Sequence, residues 1–236
     1  MGEEVVTQAP PASTQNRRRA HPWFARYYSR VAVAMDRGGL AEYRRRLLEG
    51  LSGEVVEIGP GNGMNFRQYP REVTRLVAVE PEPTLRALAR QAADELSQST
   101  EPVQTTKIEV IGGVAERMPL AAASCDAVVV SLVLCSVPDQ QAAFREVHRI
   151  LRPGGEFRFM EHVRSQGRAA AWGQRALDAT IRPSLCGGCR CARETGEAVA
   201  AAGFEISELS RFRFPARIYL PTPTASHMIG YARKPA

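Results

Sequence analysis

Short apolar runs that alternate with helix-like segments constrain the fold of this 236-residue chain more than any other feature. Strand-like runs occupy residues 54–58, 75–80, 107–111, 126–134 and 156–162. Leu85, Leu88, Ala92 and Leu96 recur on one face of a helix between the second and third runs. Strands separated by helices predict an α/β fold with a doubly wound, mostly parallel sheet.

The remaining segments extend this pattern at both ends. Residues 1–20 are rich in Pro, Gln, Ser, Thr and Arg, which predicts a disordered tail. Residues 21–50 have helical spacing on both sides of Gly38–Gly39, so we expect two helices broken by these glycines. A helix is expected to start within 63–69, and Asp139 is expected to cap the helix of residues 140–151. Two further strands are predicted at 204–210 and 225–232.

Composition narrows the class of protein. No apolar run approaches the roughly 20 residues of a membrane helix, and the N-terminal segment lacks the apolar stretch of a secretory signal. We therefore expect a cytoplasmic protein without stable membrane insertion. The net charge of +6 is a small excess without an aromatic-interleaved motif, so no nucleic acid partner is expected. Five cysteines, an odd count, favour reduced thiols.

The segment "EVVEIGPGNGMNF" (54–66) carries the first chemical signal. A strand leads into Gly59, Gly61 and Gly63, and Glu57 precedes them. An acid at the end of the second strand, Glu80, would suit a nucleotide ribose, which leaves a dinucleotide-dependent oxidoreductase open. However, the spacing is G-x-G-x-G rather than the dinucleotide G-x-G-x-x-G, and Glu57 would repel a pyrophosphate. The acid favours a cationic cofactor, and S-adenosylmethionine (SAM) carries a sulfonium and an ammonium.

Four ordered motifs between residues 54 and 162 carry a family resemblance: "EVVEIGPGNG", "AVEPEPTLRALA", "GVAERMPLAAASCDAVVVSLVLCSVPD" and "EVHRILRPGGEFRFMEH". Together they resemble the class I SAM-dependent methyltransferases with a type 11 methyltransferase domain. "LVLCSVPDQ", "LRPGGEFRFMEHV" and "CGGCRCARETGEAV" are similar to the methyltransferase-like seven group of alkyl-thiol S-methyltransferases and its bacterial relatives. The resemblance implies a Rossmann-like, seven-stranded sheet with an antiparallel last strand. It makes 51–236 the methyltransferase domain and 21–50 an N-terminal helical cap.

The resemblance also implies a cofactor site, because the family's motifs carry SAM-binding positions. These are the turn over the cofactor (Gly59, Pro60, Gly61), the positions around the methionine moiety (Glu57, Asn65), the ribose wall (Glu80, Pro81), the adenine contacts (Ala115, Glu116) and the floor near the sulfonium (Leu132). S-Adenosylhomocysteine (SAH) is then the expected product.

The acceptor side is less specified by the sequence. His162 follows the fifth strand and is a candidate catalytic base, or else a histidine that hydrogen-bonds a loop carbonyl. Trp23, Tyr27 and Tyr28 are candidate substrate contacts in a lid, or ordinary helix packing. Cys189 is expected near the substrate mouth. We predict no metal, because "CGGCRC" (186–191) has no second Cys/His pair at a suitable spacing.

These signals predict an enzyme that methylates a small molecule, most simply an apolar or natural-product thiol. Thiols ionise partly near neutral pH, so such an acceptor needs little help from a base. O- or N-methylation of a metabolite or phospholipid head group remains the alternative within the same chemistry. A non-catalytic SAM-fold regulator is a third class. The expected assembly is a monomer or homodimer.

Overall fold

The strands and helices were located in a computed structural model, which describes residues 22–98, 106–180, 187–215 and 225–236, without the side chains of 22–26. The helices are α1 (Pro22–Met35), α2 (Ala41–Leu48), α3 (Pro83–Ser97), α4 (Gln140–Ile150), α5 (Arg168–Asp178) and α6 (Thr195–Ala201). The strands are β1 (Gly53–Ile58), β2 (Val73–Val79), β3 (Lys107–Ile111), β4 (Cys125–Ser131), β5 (Leu151–His162), β6 (Glu205–Arg213) and β7 (Ser226–Arg233).

Within the described residues, seven strands form one sheet in the order β3-β2-β1-β4-β5-β7-β6. Strands β1 to β5 pair in parallel, and β7 lies antiparallel to both β5 and β6. The predicted mostly parallel sheet with an antiparallel last strand is confirmed. The strand order reverses between β1 and β4, and ligands of such sheets bind at the carboxyl ends of the strands beside this switch point.

Side chains of the central strands alternate between two buried faces. Val56 and Ile58 of β1 pack on the face that α4 and α6 cover. Val55 packs on the opposite face, which also holds Leu47 of α2 and Ala89 of α3. Glu57 follows the same alternation onto this second face. The acid is therefore held inside the fold, close to α2.

Local predictions met different outcomes. Asp139 caps α4 as expected, with its carboxylate accepting a hydrogen bond from Ala142 N at 2.9 Å. The N-terminal helices are interrupted by a π-helical turn (Asp36–Leu40), where Gly39 has a φ of 112°. The helix expected within 63–69 is wrong: turns lead only to a single 3₁₀ turn (Phe66–Gln68). The third glycine keeps this segment curled, because Gly63 has a φ of 79° that an α-helix does not allow.

Across the ranges described above, no helix combines the length and the apolar character that crossing a membrane requires.

Candidate active site

The glycine loop after β1 is built so that other groups pack directly against its backbone. Gly59 and Gly61 have φ angles of 65° and 59°, which side chains rarely tolerate. A methyl group at Gly59 would lie 2.5 Å from Cγ2 of Val133, and one at Gly61 would lie 3.1 Å from Cε1 of Tyr28. The loop therefore joins the end of β1 to the loop after β4 on one side and to α1 on the other.

Glu80 lies at the carboxyl end of β2 and faces this loop. Its side chain is buried, and it accepts hydrogen bonds from Gly61 N at 3.1 Å and from Glu82 N at 3.0 Å. Burial raises its pKa to about 7, against the opposing effect of these two donors. A buried carboxylate with part of its acceptor capacity taken by backbone groups is suited to bind hydroxyl groups.

Glu57 is the centre of a buried polar network. Its two carboxylate oxygens accept from Asn65 Nδ2 at 2.8 Å and from the Tyr69 hydroxyl at 3.0 Å. Arg44 of α2 donates to Asn65 Oδ1 at 3.1 Å and to Ser131 Oγ at 3.0 Å. Burial raises the pKa of Glu57 to about 7. The structure thus gives Glu57 two protein partners, and its direct contact with a cofactor stays a prediction.

The loop after β4 is held by a second buried acid, Glu161 near the end of β5. Its carboxylate accepts from the backbone N–H groups of Val133 (2.8 Å), Leu134 (2.8 Å) and Cys135 (3.2 Å). Leu132, at the start of this loop, has a φ of 59°. This strained backbone turns the chain across the carboxyl edge of the sheet, where the sequence placed the cofactor's sulfonium.

The remaining predicted positions lie around the same edge. Ala115 is buried in the core, so only its backbone is available to a ligand, and Glu116 is half-buried. Pro60 is buried and Pro81 is half-buried. Tyr28 is half-buried over Gly61, whereas Tyr27 is 64 % exposed. Trp23 lies in α1, but its side chain is outside the described residues.

Several observations fit SAM to this edge. Asn62 Oδ1 in the glycine loop and Glu82 Oε1 beside Glu80 are buried without a hydrogen-bond partner among the described residues. Unsatisfied buried acceptors are costly, so they indicate groups that a ligand would supply. The polar side chains at this edge are also mainly carboxylates, and the loop lacks the glycine spacing of a phosphate-binding loop. These features suit the hydroxyl groups and positive charges of SAM.

Two of the residues expected on the acceptor side, His162 and Cys189, lie in a thiol–imidazole cluster that also contains Cys135 and Cys191. Cys189 Sγ lies 3.3 Å from Cys135 Sγ and 3.8 Å from Cys191 Sγ. His162 Nδ1 lies 3.8 Å from Cys135 Sγ and 4.0 Å from Cys189 Sγ. Hydrogen bonding with Cys135, followed by that with Cys191, lowers the pKa of Cys189, and the contact between Cys135 and Cys189 raises the pKa of Cys135.

Sequence reasoning missed several residues of this edge: Arg44, Tyr69, Cys135, Glu161 and His227. His227 of β7 is paired in register with His162 on β5, and their ring centroids are 4.4 Å apart. Burial lowers the pKa of His227 to about 3, and its Nε2 is buried without a described partner. A charged residue at the end of a strand, such as Glu161 in "FRFMEH", was the one available signal for these positions.

The fold and the acidic, glycine-lined edge define a SAM-dependent methyltransferase. The family model described as a methyltransferase domain matches residues 56–159. The SAH complex of the N-methyltransferase NodS from Bradyrhizobium japonicum WM9 has the same fold, with a TM-score of 0.60 at 19% identity over 83% of this chain and 87% of that chain. Membership of this class means that the cofactor is SAM rather than the dinucleotide that the sequence pattern also allowed.

Sequence relatives place the chain more narrowly. It is 34% identical to the human thiol S-methyltransferase TMT1A over 90% of this chain and 86% of that protein. It is 35% identical to the rat thiol S-methyltransferase TMT1B over 79% of this chain and 74% of that protein. The chain therefore belongs to the same family of class I SAM-dependent methyltransferases as these two relatives.

Proposed function

We propose that this enzyme transfers the methyl group of SAM to the sulfur of a small thiol. The observation that carries the proposal is the identity to TMT1A, which extends over 90% of the chain and so reaches beyond residues 56–159 on both sides. The match therefore includes sequence outside the family model, such as the loop with Cys189.

The chain's own residues bind and orient the two substrates. When bound, SAM supplies an electrophilic methyl group on a sulfonium. Glu80 accepts hydrogen bonds from the ribose hydroxyls, and the backbone of Gly59–Gly61 lies against the cofactor. Glu57 holds Asn65 and Tyr69 beside the glycine loop, with one donor on each of its carboxylate oxygens. Catalysis then comes chiefly from holding the acceptor sulfur in line with the methyl group.

A thiol acceptor agrees with the chemistry of the edge. A free thiol has a pKa near 8.5, so a useful fraction is ionised at neutral pH without a dedicated base. The acceptor side is lined by sulfur and imidazole groups, from Cys135, Cys189 and His162, rather than by a paired acid and base. Such a surface suits a soft, polarisable nucleophile.

The test is a set of acceptors that share one skeleton and differ only in the reacting atom. Benzyl mercaptan, benzyl alcohol and benzylamine are each incubated with SAM and the full chain. We expect mass spectrometry to find a product with one added CH₂ unit from the thiol alone, together with SAH. Faster methylation of the alcohol or amine would replace the thiol proposal with O- or N-methylation.

The matched controls separate binding from turnover. Glu80→Ala should abolish product formation and weaken SAH binding measured by calorimetry, whereas Glu109→Ala on β3 should leave both unchanged. SAH binding by the native chain without product from any acceptor would favour a non-catalytic regulator. We also propose a small-molecule acceptor without a nucleic acid partner, and a monomer or homodimer, which light scattering after gel filtration tests. The cytoplasmic location stays a prediction.

A further inference from the structure

The thiol–imidazole cluster lies where three separate parts of the fold meet, and its geometry resembles a metal site. Cys135 belongs to the loop after β4, His162 ends β5, and Cys189 lies in the segment that leads to α6. The ligating atoms of these three residues all lie within 4.8 Å of one another. Cys135 and Cys189 are buried, and His162 is half-buried. The sequence argument against a metal looked for a second Cys/His pair at a short spacing in the sequence. In the fold, Cys135 and His162 come from two different segments to lie beside Cys189.

The distances match the edges of a tetrahedron around zinc. Zinc–sulfur bonds of about 2.3 Å and zinc–nitrogen bonds of about 2.0 Å place tetrahedral ligands roughly 3.5–3.8 Å apart. The observed separations are 3.3 Å between the two sulfurs, 3.8 Å from Cys135 Sγ to His162 Nδ1, and 4.0 Å from Cys189 Sγ to the same nitrogen. Small shifts of side chains would therefore bring all three atoms to bonding distance of one ion.

The backbone around the cluster is fixed by hydrogen bonds that do not involve the sulfurs. Arg190 N donates to Cys135 O at 2.8 Å, and Arg193 donates to Leu134 O at 2.6 Å and to Val137 O at 2.7 Å. Asp178 accepts from the backbone N–H groups of Cys191 and Ala192. These contacts hold the Cys189 segment against the loop after β4. Support of this kind is what orients the ligands of a metal site.

We propose that Cys135, His162 and Cys189 bind a zinc-type divalent ion and leave its fourth position to the acceptor thiol. The described residues supply three ligands, and three protein ligands with one open position are typical of catalytic rather than structural zinc. Cys191 is outside the three-residue group, although its sulfur lies 3.8 Å from Cys189. With Nδ1 on the metal, His162 does not act as the catalytic base.

The place of the cluster supports the acceptor role, which rests on the proposed function. Val133 is the side chain that touches Gly59, and Cys135 follows it by two residues in the same loop. The cluster therefore borders the loop that lies against the cofactor. A thiol that binds the ion loses its proton to solvent as the S–H bond breaks and the zinc–sulfur bond forms, so the sulfur is held as a thiolate at neutral pH.

The first test measures metal in the full chain, purified under reducing conditions without chelators. We expect about one zinc per chain by mass spectrometry of the metal, and we expect more than tenfold less in Cys135→Ser, Cys189→Ser and His162→Gln. Cys125→Ser is the matched control, since Cys125 is buried on β4 away from the cluster and contacts Ile150 O. Cys191→Ser should also keep the metal. Its full loss of zinc would overturn the three-residue site.

A second measurement does not depend on whether the variants fold. Cobalt(II) added to metal-free wild-type chain should produce thiolate-to-cobalt charge-transfer bands and the visible bands of a tetrahedral ion. Metal-free protein as purified, together with a featureless cobalt titration of reduced thiols, would overturn the proposal. A Cys135–Cys189 disulfide found in the freshly purified chain by non-reducing mass spectrometry would do the same.

Binding of the acceptor thiol to the metal ion is tested by a separate measurement. Benzyl mercaptan added to the cobalt form without SAM should shift the charge-transfer bands, and benzyl alcohol should not. If the thiol leaves the charge-transfer bands unchanged, the acceptor does not bind the ion, and the proposal of a metal site is unaffected. Neither spectrum requires turnover, so failure here is distinct from failure of the proposed function, which the acceptor set with SAM tests.

Discussion

Glu80 is the residue on which cofactor affinity should depend most directly. Glu80→Gln removes the charge that strengthens hydrogen bonds to the ribose hydroxyls, so we expect SAH affinity to fall by at least tenfold, about 1.5–3 kcal/mol. Calorimetric titration with SAH measures this change. Glu109→Gln is the control, because the Glu109 side chain is 46% exposed and pairs with Arg75. Equal affinities for Glu80→Gln and the wild type would remove Glu80 from the site.

The ionisation of Glu80 also predicts how cofactor affinity changes with pH. Burial raises its pKa to about 7, while the N–H groups of Gly61 and Glu82 and the positive charge of Arg86 favour the carboxylate. Below this pH the free site is protonated and must release a proton to bind the cofactor in its carboxylate form. We therefore expect SAH affinity to decrease as the pH falls from about 8 to about 6, and we expect Glu80→Gln to flatten this dependence.

Glu57 should make the stability of the cofactor-free protein depend on pH. Burial raises its pKa from 4.5 to about 7, so the folded chain holds this proton more tightly than the unfolded chain. The stabilisation is complete below about pH 4.5 and is lost as the pH rises through 7. Relative to Glu57→Gln, the wild type should lose up to roughly 3 kcal/mol between about pH 5 and pH 8.

Urea denaturation of both proteins across this pH range measures the Glu57 effect. The test uses only how the difference in unfolding free energy changes with pH. The glutamine amide of Glu57→Gln also alters the contacts with Asn65 and Tyr69, but that contribution is the same at every pH. Glu72→Gln, at an exposed position before β2, is the control. Parallel stability curves for the wild type and Glu57→Gln would contradict the prediction.

At the scale of elements, Arg44 connects α2 to the glycine loop and to β4. It donates to Asp36, Asn65 and Ser131, and it is 4% exposed. Arg44→Met leaves the buried Asn65 and Ser131 oxygens and the half-buried Asp36 carboxylate without this donor, so we expect a loss of about 3 kcal/mol in the free energy of unfolding. Arg45→Met should cost less than about 0.5 kcal/mol, because Arg45 is exposed and pairs with Glu42 at the surface.

Chemical denaturation of Arg44→Met and Arg45→Met gives this comparison directly. Similar stabilities would mean that the network around Glu57 does not depend on α2. Loss of stability with unchanged SAH affinity would separate a packing role of α2 from a role in shaping the cofactor site.

The elements also explain how far the sequence could be interpreted. Apolar runs located the strands, because a strand buried on both faces leaves a continuous signal, as in "DAVVVS" of β4. The glycine loop could be recognised because its spacing is local. The thiol–imidazole cluster could not be predicted, since Cys135 and Cys189 are 54 residues apart and are brought together by contacts between two loops. Arg44 could not be predicted either, because it belongs to a run of three arginines (44–46) that is typical of an exposed, charged surface.

At the scale of the whole molecule, the sheet supplies an edge for the site, and we expect the N-terminal helices to cover it. Tyr28 of α1 lies on Gly61, and burial raises its pKa to about 12, with Glu80, Glu161 and Cys135 close enough to add to that increase. One aromatic side chain therefore lies near both Glu80 and the thiol–imidazole cluster. Cofactor binding and acceptor access are expected to be linked through this helix.

Hydrogen exchange with and without SAH tests whether α1 is part of the site. At a SAH concentration about 100 times the dissociation constant, binding stabilises the folded chain by about 2.7 kcal/mol. For a chain of this size we expect the melting temperature to rise by roughly 5–10 °C. Exchange should slow in residues 27–35 as well as in the glycine loop. It should change least in β6, at the far edge of the sheet.

Tyr28→Ala separates the cover from the cofactor loop. If α1 is held over the site through this ring, the variant should lose the added protection of residues 27–35 while the glycine loop keeps its own, because the loop's contacts with Val133 and Glu80 remain. Protection of residues 27–35 that is the same in the variant and the wild type would show that α1 is fixed by packing on the sheet alone. In that case access to the thiol–imidazole cluster would be independent of cofactor binding.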